Sequence, residues 1–120
     1  MHKLLDANAI LRFLLNDIPE QANATANVIY YGAFTKEAVI AEVVYVLSGV
    51  YKYDRNEIVE KILLLLELIE IENKEVVDFA LNLFKSRSLD FVDCLLIGYK
   101  KVSGIDVFSF DKKLNKMLSE

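Results

Sequence analysis

The 120-residue chain has a single proline and only four glycines, with no polar low-complexity stretch and no repeat at solenoid spacing. That scarcity leaves no candidate for a linker. Residues 1–120 are therefore expected to form one domain, ordered almost throughout, with 54% apolar content to build its core. Cysteine is limited to Cys94, so no intrachain disulfide can form and a cytoplasmic location is the default expectation. No long apolar run is present either. The longest weakly charged stretch, Ala38 to Tyr51, is interrupted by Glu42 and falls short of the roughly 18–20 residues of a bilayer span. The opening Met1-His2-Lys3-Leu4-Leu5-Asp6 meets an acidic residue too soon for the apolar core of a signal peptide. No membrane association is expected. Basic residues are also in deficit, 14 against 18 acidic ones, which argues weakly against a grip on nucleic acid through bulk positive potential.

What is present is a sequence of short apolar runs separated by helix-patterned segments. Lys3-Leu4-Leu5-Asp6 reads as a buried strand ending on a carboxylate, and Ala9 to Leu15 continues with helical spacing at Ile10, Phe13 and Leu14. Pro19 suits the first turn of a second helix that runs to Tyr31 and closes at Gly32. Phe34-Thr35 is a very short strand, Lys36 to Val50 a helix, and Arg55 to Leu66 another. The alternation Leu68-Ile69-Glu70-Ile71-Glu72 predicts a strand with one face covered. Helices follow over Glu75 to Lys85 and Phe91 to Val102. The β-rich run Asp106-Val107-Phe108-Ser109-Phe110 is expected to be the last strand, and Lys112 to Leu118 a last helix. Strands alternating with helices imply an α/β fold, a small parallel sheet flanked by helices as an α/β/α sandwich. Ligands of such sheets bind beyond the carboxyl ends of the strands.

Four acidic residues lie where carboxylates are expensive. Asp6 follows Leu4-Leu5, Glu42 sits within Ala38 to Tyr45, Asp93 precedes Cys94-Leu95-Leu96-Ile97, and Asp111 ends Val107 to Phe110. Desolvating a carboxylate costs free energy unless a cation or hydrogen bonds compensate it. Four together suit a hard divalent ion with oxygen ligands, Mg²⁺ or Mn²⁺. If all four serve a metal, 14 acidic residues remain against 14 basic ones, and the bound cation provides the local positive charge a phosphate needs.

Leu5-Asp6-Ala7-Asn8, the lone Glu42, Asp90-Phe91-Val92-Asp93 to Leu96-Ile97, and Ser109-Phe110-Asp111 resemble the four acidic signatures of the PIN-domain family, in order and spanning nearly the whole chain. Ala7 departs from the Thr or Ser common at that position. The single-domain length resembles the VapC-type toxins more than the larger PIN enzymes of RNA processing. The resemblance implies a PIN-like fold and an endoribonuclease that hydrolyses RNA phosphodiester bonds, with Mg²⁺ or Mn²⁺ activating water and stabilising charge on phosphate oxygens. It implies Asp6 and Asp93 as principal ligands, Asp111 as a ligand directly or through water, and Glu42 completing the site or orienting the water. Asn8, Ser109 and Asp90 would fix the orientation of these carboxylates. It further implies a homodimer and a cognate VapB-like antitoxin seated in a groove, with Tyr30, Tyr31, Tyr45, Tyr51 and Tyr53 as candidates for an apolar partner surface.

Each site residue also has a plainer reading. Asp90 and Asp93 fit a helix start, Asp111 an N-cap and Asp6 a turn. Glu42 fits a buried ion pair, for example with Arg12. Cys94 reads as a small core residue, and His2 as an exposed one. Arg12, Lys52, Arg55 and Lys85 are candidates for phosphate contacts, or for solvated surface charge. A phosphoacceptor domain of the response-regulator type would want a second carboxylate at position 8, where Asn8 stands. A PIN nuclease of RNA processing, or a non-catalytic PIN-like module binding RNA or protein, remains as the alternative, although such modules usually lack part of the acidic set.

Overall fold

A computed structural model describes residues 2–120. The chain falls into two compact units, Met1–Glu72 and Asn73–Glu120. The first holds β1 (Lys3–Leu4), α1 (Ala7–Leu15), α2 (Pro19–Tyr31), β2 (Ala33–Thr35), α3 (Glu37–Gly49), α4 (Arg55–Leu68) and β3 (Glu70–Ile71). Its strands form a parallel sheet in the order β1-β2-β3, with Lys3 opposite Ala33, Leu4 opposite Phe34, and Thr35 opposite Ile71. Parallel neighbours need a long crossover, and each one here contains two helices.

Helix starts in this unit follow from local chemistry. Asp6 is the N-cap of α1, with the Ala9 amide donating to its Oδ1 at 2.8 Å. Pro19 occupies the first turn of α2, where its missing N–H costs nothing. Asp54 caps α4 through the Glu57 amide at 2.8 Å, while the Glu57 carboxylate reaches back to the Asp54 amide. Gly32 joins α2 to β2 at φ 114°, a region that L side chains rarely adopt. The sequence expectation for β3 proves too long, since α4 continues through Leu68 and leaves two residues in the strand.

The core of this unit includes the middle strand. Ala33 and Thr35 are buried, and so are Ile40, Val43, Val44 and Leu47 of α3 and Ile58, Ile62 and Leu65 of α4. The buried Thr35 hydroxyl donates to the Leu5 carbonyl at 3.2 Å, and the Leu5 amide donates to the Phe34 carbonyl at 2.9 Å. Both backbone polar groups of the residue before Asp6 are thus bound to β2.

The second unit is helical: α5 (Lys74–Ser86), α6 (Phe91–Ser103) and α7 (Lys112–Leu118). Helices α5 and α6 pack closely around Val76, Val77, Ala80, Leu81, Cys94 and Ile97, and the rings of Phe84 and Phe91 meet edge to face at 5.9 Å. Gly98 allows this approach, because a Cβ there would lie 3.1 Å from the Val76 carbonyl oxygen. The expected last strand, Asp106 to Phe110, does not form. Its residues keep a period of two, with Val107 and Ser109 half-buried and Phe108 and Phe110 exposed. The segment is anchored to α7 rather than to a strand: the Asn115 side chain donates to the Ser109 carbonyl at 2.8 Å, and the Asp111 amide donates to Ser109 Oγ at 3.0 Å. Such local side-chain bonds compete with ladder formation. Asp106, expected to open that strand, is instead solvent-exposed beside Lys100 at 3.5 Å.

Replacing Thr35 with Val keeps the shape and removes the hydroxyl, leaving the Leu5 carbonyl buried and unsatisfied. Thr35→Val should lower unfolding free energy by about 1–3 kcal/mol in denaturant titrations. An unchanged midpoint would mean that the bond contributes nothing to holding Leu5.

Candidate functional site

Of the residues singled out in the sequence, the second unit brings three together. Asp90, Asp93 and Asp111 line one cleft of about 220 Å³ with Ser88, Leu89, Lys113 and Leu114. Asp90 stands at the N-cap position of α6, yet its side chain makes no capping bond. Asp93 follows in the first turn, half-buried. Asp111 caps α7 through the Leu114 amide at 2.8 Å to its Oδ1. That capping spends one carboxylate oxygen and leaves the other available.

The Asp93 carboxyl is pushed above the usual aspartate range, first by loss of solvent and then by the charges of Asp90 and Asp111, with Lys113 acting in the opposite direction. Lys113 is itself tethered, its Nζ donating to the Ser88 carbonyl at 2.8 Å. Sequence reasoning missed Lys113 and Ser88, whose only signals were a lysine two residues beyond Asp111 and a polar turn before Asp90. Ser109, expected to fix carboxylate orientation, accepts the Asp111 amide with its Oγ at 3.0 Å.

In the first unit Asp6 combines the end of β1 with the start of α1, so the turn reading gives way to a capping one. Asn8 is exposed in the first turn of α1. Glu42 lies in the middle of α3, which packs on both α1 and α4. Its expected burial does not occur: Ile40, Val43, Val44 and Leu47 take the inner face, while Glu42 and Tyr45 point outward. The proposed pairing with Arg12 is also absent. Arg12 Nη1 lies 3.0 Å from Asp17, and Nη2 donates to the Tyr51 hydroxyl at 3.1 Å, so this guanidinium is already committed. Thr35 is a further residue that sequence reasoning missed, visible only as part of a short strand.

Among the described residues, no group of three or more His, Cys, Asp or Glu side chains surrounds one point as a ready metal site. The donor chemistry nevertheless fits a hard cation: three of the side chains lining the cleft are aspartates, whose carboxylate oxygens are hard donors, and crowding of like charge around Asp93 is what a divalent ion relieves.

Two predictions follow from these side chains. A folded-state pKa raised above the unfolded value means that the stability contributed by Asp93 is present below about pH 4 and lost as pH rises through its folded value. In chelator at neutral pH, Asp93→Asn should therefore melt at or above the wild-type temperature, and the difference should vanish in acid. A variant less stable at neutral pH would make Asp93 a structural acceptor. For Asp6 and Asp111, Asn preserves the cap and Ala removes it. The Asn variants should match wild type in chelator, while each Ala variant should lose about 1 kcal/mol in thermal melts.

The PIN domain family model matches residues 3–118. The chain is 33% identical to the VapC ribonuclease of Aquifex aeolicus (strain VF5), an alignment covering 96% of this chain and 91% of that protein. No solved structure matches the chain. Three parallel strands with helical crossovers, acids at the carboxyl end of β1 and at the starts of α6 and α7, and a match over almost the whole length agree: the chain belongs to the PIN-domain family.

Proposed function

We propose that the chain is a metal-dependent endoribonuclease that hydrolyses phosphodiester bonds in RNA, acting as the toxin of a type II toxin–antitoxin pair. The observation that carries this reading is the cleft where Asp90, Asp93 and Asp111 crowd their charges. The name of the Aquifex relative, VapC ribonuclease, supports the same reaction. Residues 1–120 act as a single PIN-like nuclease domain. The proposed ligands are Asp6, Asp93 and Asp111, with Glu42 completing the set or orienting water. The capped carboxylates of Asp6 and Asp111 each keep one free oxygen for that purpose. Mg²⁺ or Mn²⁺, when bound, supplies acidified water and charge stabilisation at the phosphate.

The other residues of this chain prepare the site. Asp90, not engaged as a cap, raises the local negative charge, and Ser109 holds the Asp111 backbone. Lys113, fixed on the Ser88 carbonyl, offers a cation to a phosphate oxygen entering the cleft. Asn8, on the first turn of α1, is the proposed orienting residue for the Asp6 carboxylate. The protein acts in the cytoplasm as a homodimer and is restrained by a VapB-like antitoxin. The exposed Tyr30, Tyr31 and Tyr45 offer apolar area for these partners. No helix among the described residues is long and apolar enough to cross a membrane.

RNA cleavage should require Mg²⁺ or Mn²⁺ and stop in excess chelator. Asp93→Asn should reduce it to background with the circular dichroism spectrum unchanged, and Ser109→Ala should cost roughly 10–100-fold. Cleavage that persists in chelator would rule out the mechanism.

A further inference from the structure

Immediately before Asp111, two aromatic rings stand almost fully in solvent. Phe108 is 86% exposed and Phe110 89% exposed, more than any other large apolar residue among those described. Their rings meet edge to face, with centroids 5.2 Å apart and planes inclined at 77°. The backbone that carries them is anchored, through the Asn115 bond to the Ser109 carbonyl and the Asp111 amide on Ser109 Oγ. The rings therefore stand on a fixed segment, one residue and three residues from a carboxylate that lines the acidic cleft.

We propose that Phe108 and Phe110 form a stacking platform for unpaired bases of RNA, placing the adjoining phosphate at the cleft. This rests on the ribonuclease reading and adds to it a base-stacking contact made by these two rings. Aromatic faces stack on any base without reading its identity. Rings inclined at 77° cannot both match one continuous base stack, but they suit bases that have been splayed apart, as in a loop. Charge favours RNA over a protein partner here. Asp111 is followed by Lys112, Lys113 and Lys116, and Lys112 and Lys116 are exposed one helical turn apart on α7. The unit containing the rings has eight basic side chains to seven acidic ones, while the other has six to eleven. A phosphate backbone beside stacked bases finds its counter-charge in these lysines.

The test uses the full chain with Asp93→Asn in place to prevent turnover, and a short unstructured RNA carrying a fluorescent purine analogue. Binding should quench the analogue. Phe108→Ala and Phe110→Ala should each weaken binding by roughly fivefold to a hundredfold, and Phe→Tyr at either position should restore it. Because both rings are exposed, the Ala variants should melt as the parent does. An oligonucleotide made abasic at the quenched position should bind the parent as weakly as the Ala variants bind the intact RNA. RNA affinity unchanged in both Ala variants overturns the proposal. So does an altered oligomeric mass with unaltered RNA affinity, which would make the rings a protein contact. Metal-dependent cleavage by the wild type is measured in parallel. Ring-dependent binding without cleavage would sink the nuclease reading and leave the platform standing.

Discussion

Leu5 is bound to the central strand through both of its backbone polar groups, and the placement of Asp6 depends on that. The amide donates to Phe34 and the carbonyl accepts the hydroxyl of Thr35. The next residue leaves the sheet and caps α1, so Asp6 has its backbone held on one side by β2 and its carboxylate held on the other by the Ala9 amide. A residue fixed at both ends presents its remaining oxygen in a defined direction without relying on a long or flexible side chain. The two-residue length of β1 is sufficient because this bonding extends its hold to Leu5.

Acidic side chains serve several physical ends here, and their surroundings distinguish them. At Asp6, Asp54 and Asp111 the carboxylate satisfies an amide that a helix start would otherwise leave orphaned. At Asp93 no such return is evident: the group is half-buried, faces two further aspartates, and has its carboxyl raised. That crowding works against folded stability at neutral pH, and a bound cation would offset it. Glu42 differs again. Its cost is small because it faces solvent, so an apolar sequence context overstated its burial.

The final segment illustrates how far a local pattern can mislead. Alternation over Val107 to Phe110 satisfies the period of a strand, and the side chains do alternate in exposure. A strand, however, is completed by hydrogen bonds to a neighbour, and Ser109 directs its polar groups to Asp111 and Asn115. Periodicity specifies which way side chains point. It does not specify what the backbone pairs with.

Sequence alone determined the order and type of the helices, because apolar spacing, Pro19, Gly32 and the acidic caps act within a few residues of where they lie. It also determined the family, through acids whose order along the chain is itself the signal. Only the tertiary structure decided that Glu42 faces outward, that Arg12 belongs to Asp17 and Tyr51, that Thr35 holds Leu5, and that Lys113 shares a cleft with three aspartates. Those outcomes depend on groups far apart in the chain, whose distances and shared solvent no local pattern encodes.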